Sequence, residues 1–275
     1  MDAWSMEVSA RGIPALRSVA ERVPAGTLIA IPYLPSEDDG ARLAAARAVR
    51  ELGFEPMPHL SARRVESRPA LERFISRVVA EAGVEQCFVI AGDPSTPSGP
   101  YADSGTLIAT GVLESSGIRA VAVGGHPESH PVMSAEQRWQ VLQHKCEVIE
   151  QRGMAPLIVT QFAFDAEIVL DWLQELRSRG ISHPVRVGVP GPASVAVLAR
   201  YAVMCGVGES GSMLARYGVS IGKLLGTAGP GVLVDQLSHG LTAAHGSISL
   251  HFFPFGGIAQ SLKWIVERGK DRKRP

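Results

Sequence analysis

Eight apolar runs of strand length, nearly all followed by a segment with helical spacing, predict an α/β protein built as a closed (β/α)8 barrel, the TIM barrel, with extra helices before the last strand. The length of 275 residues suits this, because about 250 residues is typical of such barrels. A doubly wound open sheet is the competing architecture, and the first strand lacks the Gly-x-Gly-x-x-Gly turn that would favour it. No low-complexity linker divides the chain, so residues 1–275 read as a single barrel domain.

Trp4 to Ser9 is the first strand candidate, and Ile13 to Val23 has helical spacing. Thr27 to Ile31 is the second strand, after which Asp38 and Asp39 open a helix from Ala41 to Leu52, ended by Gly53. Glu55 to Leu60 is the third, and Ser67 caps a helix reaching Ala82. The fourth strand, starting at Gln86, is the clearest: Cys87-Phe88-Val89-Ile90 is apolar throughout, as in a strand buried on both faces, and stops at Gly92-Asp93-Pro94. A helix is expected around Thr106 to Glu114, and Ile118 to Val123 is the fifth strand. Ser134 and Gln137 form a capping box for an amphipathic helix to Gln151. Pro156 to Phe162 is the sixth strand, with its helix opened by Asp165 and closed by Gly180. Pro184 to Val189 is the seventh, before a helix from Ala193 to Cys205. Helices over Ser210–Leu225 and Gly231–Ala244 precede the eighth strand, Ser247 to Phe253, and Ile258 to Arg268 is the last helix.

Composition narrows the function. Lys+Arg and Asp+Glu balance at 27 each, so no basic field points to nucleic acid or an anionic membrane. No apolar run approaches the roughly 20 residues of a membrane helix. Cys87, Cys146 and Cys205 lack zinc-type spacing and form no closed disulfide set, and no signal-peptide pattern is visible. A reducing, cytoplasmic setting is therefore expected. The basic stretch from Lys270 to Pro275 reads as a solvated end.

In a (β/α)8 barrel, chemistry comes from the carboxyl ends of different strands. Those ends carry Glu7, Tyr33, His59, Asp93, His126 with His130, and Gln161. Glu7 sits in an otherwise apolar strand, where burial is expected to raise its pKa and suit it to donate a proton. Asp93 borders a loop that water can reach and is expected to stay ionised. Each residue also has a structural explanation: Glu7 as a paired charge, His59 as a core histidine, Gln161 as a partner for backbone groups. His126 and His130 are four apart, but Pro127 makes the segment a turn, so a metal site built from them with His59 and Asp93 is disfavoured. Lys145 and the loop Gly188 to Ser194 are candidates for phosphate. The segment His251 to Gly257 could wall a planar ligand or belong to the core.

Taken in order, these endings resemble the methylenetetrahydrofolate reductase family, a flavin-dependent (β/α)8 barrel. The resemblance runs from Met6 to about Gly191 and more loosely to Phe253. It rests on Ser5-Met6-Glu7, Pro58-His59-Leu60, Ala91-Gly92-Asp93-Pro94, Pro100-Tyr101-Ala102-Asp103, His126-Pro127-Glu128-Ser129-His130-Pro131, Lys145, and Thr160-Gln161-Phe162-Ala163-Phe164-Asp165.

The resemblance implies that Glu7 is the proton donor to the folate and that Asp93 is an anion near both flavin and pterin. It implies that Gln161, with Phe162 and Phe253, borders the folate. It further implies that Tyr33, His59, Gly92, Asp93, Tyr101, Ala102, His126, His130 and Lys145 hold FAD. The implied reaction is hydride transfer between NAD(P)H, FAD and folate, interconverting methylene- and methyltetrahydrofolate, usually in a homo-oligomer. Ala91 stands where the family usually has arginine, Pro32 where it has threonine, and a basic residue of the last strand is replaced near Gly257. These departures suit a divergent member, such as a paralogue oxidising methyltetrahydrofolate in one-carbon catabolism. The alternatives are a flavin-free reductase, a one-carbon transferase in the same pocket, or a folate-binding subunit without redox activity.

Overall fold

The computed structural model describes residues 4–128, 130, 132–207 and 227–271. Eight strands close into a barrel: β1 (Trp4–Glu7), β2 (Leu28–Ile31), β3 (Glu55–Ser61), β4 (Gln86–Ile90), β5 (Ala120–Gly125), β6 (Ala155–Phe162), β7 (Val185–Pro190) and β8 (Ile248–Phe253). Each pairs in parallel with its neighbours in sequence, and β8 closes on β1. Side chains alternate across the wall of a barrel. One set, including Leu28, Ala30, Met57, Phe88, Ala122 and Val159, forms an apolar cluster of its own. The other packs outward, with the helices, in a much larger cluster.

The helices begin where short polar side chains satisfy free backbone N–H groups. Asp38 accepts from Ala41 ahead of α2 (Asp39–Glu51), and Ser67 from Ala70 ahead of α3 (Arg68–Ala82). Ser134 and Gln137 make the expected capping box on α6 (Ala135–Gln151). Asp165 caps α7 (Ala166–Ser178), and Ser194 caps α8 (Val195–Cys205). The chain ends with α9 (Gly231–Gly240), a 3-10 turn at Ala243–His245 and α10 (Ile258–Asp271).

Several boundaries differ from the sequence expectation. The first helix is only α1 (Ile13–Arg17), followed by a 3-10 turn at Ala20–Arg22. The helix expected near Thr106 to Glu114 splits into α4 (Ser104–Ile108) and α5 (Val112–Ser115), because Gly111 adopts φ 83° between them. A short antiparallel pair, Ala193–Ser194 with Thr227–Ala228, was not expected. The helix expected at Ser210–Leu225 lies outside the described residues. Among those described, no helix is long and apolar enough to cross a membrane.

Candidate active site

The parallel register aligns Ser5 of β1 with His251 of β8 and with Leu28 of β2. Since side chains two apart share a face, Ser5 and Glu7 join His251 and Phe253 on the interior side. There, Glu7 Oε1 lies 3.7 Å from His59 Nε2 and 3.9 Å from His251 Nε2. Both nitrogens are buried and have no hydrogen-bond partner. The contacts exceed hydrogen-bond length and are electrostatic in the resting site. Ser5 Oγ lies 2.8 Å from His251 Nδ1, with a weaker contact of 3.4 Å to the Leu250 carbonyl. When the hydroxyl donates to Nδ1, the ring proton of the neutral imidazole sits on Nε2 and faces Glu7.

Burial pushes the Glu7 carboxyl upward, but His251 and then His59 outweigh it and bring the group below its ordinary value. This corrects the expectation of a raised pKa. Burial acts as foreseen; the residues that oppose it come from β3 and β8, far away in sequence. His59 is pushed down to about 4, mainly by burial against the opposing pull of Glu7. Its ring meets Phe88 edge to face at 4.5 Å.

The opposite arrangement holds at Asp93. Its side chain is 90% exposed, and Arg64 Nη2 lies 3.8 Å from Oδ2. Arg64 is 5.4 Å from the Tyr33 ring centre, and Arg42 approaches the same ring at 4.8 Å. Arg42, buried on α2, also donates to the His59 carbonyl and thereby ties Tyr33 to β3. Asp93 and Glu7 share a neighbourhood: burial raises the Cys205 thiol to about 11, and both carboxylates push it in the same direction.

Gly92 has φ 93°, and a Cβ there would collide with Ser61 Oγ, itself buried without a partner. Tyr101 is buried with an unpartnered hydroxyl, and burial raises its pKa. Ala102 is exposed, and its carbonyl accepts from Arg63 Nε at 2.7 Å. The His126 and His130 rings meet at 4.7 Å. Burial, aided by His130, Lys145 and Arg138, takes His126 down to about 3. Lys145 is also buried, with its pKa lowered by burial, and it has no ion pair among the described residues. Lys145 and Arg138 supply the positive charge at this edge, with Asp103 within electrostatic reach of Lys145, while the low value of His126 keeps its ring neutral.

Gln161 sits at a register irregularity between Val159 and Phe162, where its Oε1 accepts from the Phe162 N–H at 3.0 Å. Gly188 is required opposite, since a Cβ there would meet the backbone of Thr160 and Gln161 at 2.6–2.8 Å. Phe162 is buried and meets Phe253 edge to face at 5.5 Å. Among the described residues no group of three or more His, Cys, Asp or Glu side chains is placed to hold a metal ion.

Sequence reading treated Ser5 only as part of a motif and His251 only as part of an aromatic wall. The available signal was their spacing: each lies two residues before a proposed site residue, on the same face of its strand.

Two solved dihydropteroate synthases resemble this fold. The enzyme from Thermus thermophilus has a TM-score of 0.51 at 13% identity, over 98% of this chain and 93% of its own. That from Burkholderia cenocepacia has a TM-score of 0.50 at 14% identity, over 98% and 93%. At such identities the likeness concerns the fold alone. The family model for methylenetetrahydrofolate reductase matches residues 19–218. On that match, which covers most of the barrel, the chain belongs to the methylenetetrahydrofolate reductase family.

Proposed function

We propose that this chain interconverts methylene- and methyltetrahydrofolate, with FAD as cofactor and NAD(P)H as co-substrate, and that its resting site favours oxidation of the methyl form. The carrying observation is the Glu7 carboxylate, held between the imidazoles of His59 and His251 and below its ordinary pKa.

The residues fit a dinucleotide cofactor. Lys145 and Arg138 offer positive charge to its phosphates, and the imidazoles of His126 and His130, kept neutral by burial and those cations, stand beside them. The unpartnered Tyr101 hydroxyl and Ser61 Oγ, beside the close approach at Gly92, offer polar contacts to it. Bound FAD supplies the hydride exchange, chemistry that belongs to the cofactor.

The protein's own task is the proton. Conversion of the methyl to the methylene form removes a hydride and releases the proton of the nitrogen that closes the bridge. Glu7, ionised at rest, is the group to receive that proton. In the reductive direction the same carboxyl must first be protonated, which its surroundings disfavour. Phe162, Phe253 and Gln161 border the pterin, and Asp93 balances positive charge on the folate.

Two half-reactions test this in a stopped-flow instrument. Methyltetrahydrofolate should reduce the enzyme-bound flavin, and Glu7→Gln should slow that step by about 10²-fold or more while leaving flavin reduction by NAD(P)H largely intact. Equal loss of both would contradict the assignment. Ala91 and Pro32 favour one second reading, a flavin-free reductase. That reading requires a colourless purified protein that still reduces methylenetetrahydrofolate with NAD(P)H.

A further inference from the structure

Arg42 is the one arginine among the described residues that is buried, with 2% of it exposed. It reaches from α2 to the carboxyl end of β3, where its Nη2 donates to the His59 carbonyl. Its guanidinium lies over two rings, 4.8 Å from the centre of Tyr33 and 4.5 Å from that of Phe74 on α3. Nη1 donates to Asp39 Oδ1 at 3.0 Å, and that acid is 62% exposed. One side chain thus joins two helices, the segment after β2 and the strand that carries His59.

Stability alone gives little reason for a cation at this place. A buried guanidinium gives up its hydration, and an acid standing in solvent offsets little of that loss. Well-packed apolar residues often hold such a position at least as firmly. The contacts point instead to the imidazole of the residue that Arg42 grips. His59 Nε2 lies 3.7 Å from Glu7, and the ring meets Phe88 edge to face. The charged and titratable groups around that ring are Glu7 from β1, His251 from β8 and Arg42 from α2. Glu7 favours a proton on His59, whereas burial, His251 and Arg42 oppose it. Asp39, Tyr33 and Glu37 face Arg42 in turn.

We propose that Arg42 is a positioning residue for the proton-accepting site and acts on Glu7 through His59. Its grip on the carbonyl fixes the end of β3, and with it the separation of the imidazole from the carboxylate. Its charge helps burial to keep the ring neutral while Glu7 is ionised. A neutral ring faces Glu7 without forming a full ion pair, so the carboxylate stays basic enough to take the proton released by the folate. A protonated ring would hold Glu7 as an anion and weaken it as a base. The effect on catalysis rests on Glu7 being the proton acceptor, as proposed above; the effect on His59 does not.

The test is a nuclear magnetic resonance titration of the purified full-length protein with labelled histidine rings, the His59 signal being assigned by its loss in His59→Asn. Arg42→Met should move the His59 midpoint up from about 4 by roughly half a pH unit, toward the ordinary value. Arg42→Lys, which keeps the charge, should restore it. In the folate half-reaction Arg42→Met should be about ten-fold slower, and on acidification it should lose rate at a higher pH than the wild type. In a His59→Asn background the same substitution should change the rate by less than about two-fold. If Arg42→Met does not fold, Arg42→Gln takes its place, keeping an N–H for the carbonyl and losing the charge. The proposal is overturned if the His59 midpoint does not move in the uncharged variant, or if it moves with no change in the folate rate. It is also overturned if the loss of rate is as large without His59 as with it. A wild-type protein with no folate half-reaction would sink the function proposed above, while the titration would still decide whether Arg42 governs His59.

Discussion

The two carboxylates of the barrel mouth occupy opposite environments. Glu7 is largely enclosed, with two unpartnered imidazole nitrogens facing one of its oxygens; Asp93 stands in solvent with one guanidinium at 3.8 Å. The difference shows how one fold separates two acids of similar intrinsic strength. At Glu7 the surroundings decide the protonation state, because burial magnifies every nearby dipole and charge. At Asp93 water screens the neighbours, so the side chain acts by position and charge.

The largest expected effect tests the enclosed side. Glu7→Gln should slow the folate half-reaction by about 10²- to 10⁴-fold, the usual range for a lost general acid or base. Asp93→Asn should lower the same rate by a smaller factor. If Asp93→Asn proved the more damaging, the roles assigned to the two carboxylates would have to be exchanged.

Stability against pH sharpens the contrast next. His59 and His126 take up protons only near 4 and 3 in the folded chain, whereas the ordinary value is 6.5. Between those limits the unfolded state binds more protons, so stability is fully present above about 6.5 and falls as the pH drops toward 4 and then 3. The loss from His59 alone should reach about 3 kcal/mol at most. A melting series from pH 7.5 to 4 (roughly one ordinary histidine titration) should flatten in His126→Asn; an unchanged slope would remove that ring from the account.

Gly92→Ala should cost about 1–3 kcal/mol, because φ is positive and the new methyl would meet Ser61 Oγ. Pairing it with Ser61→Gly should recover part of the loss in denaturant melts. Ser5→Ala removes a single contact to His251 and should slow the folate step by roughly five-fold, equivalent to about 1 kcal/mol. The smallest effect belongs to Arg64→Met, because Asp93 stands in solvent and such a pair adds about 0–1 kcal/mol, while methionine keeps much of the packing of the largely buried Arg64 stem. A loss of several kcal/mol there would show that the Asp93 side is not governed by solvent.

Much of the barrel was legible in the order of residues. Strand β4 could be read because four consecutive apolar residues end at Gly92-Asp93-Pro94, and the α6 start because Ser134 and Gln137 are three apart. Local hydrogen bonding and steric limits act over a few residues, so they leave a local trace. Helix α1 was overextended because apolar spacing continues past the point where the backbone turns to 3-10 geometry at Ala20–Arg22. The split between α4 and α5 was missed because Gly111 can either continue a helix or leave it.

What the sequence alone determined was the strand–helix alternation, the caps, and the polar residues at strand ends, including Glu7, His59 and Asp93. Tertiary structure decided which of them face one another: β8 closing on β1 set His251 beside Ser5 and near Glu7, about 245 positions apart in the chain. Only that closure could turn the buried glutamate from a carboxyl that burial would protonate into one held as an anion. The field at a side chain is the sum over everything packed around it, and those neighbours are chosen by the fold.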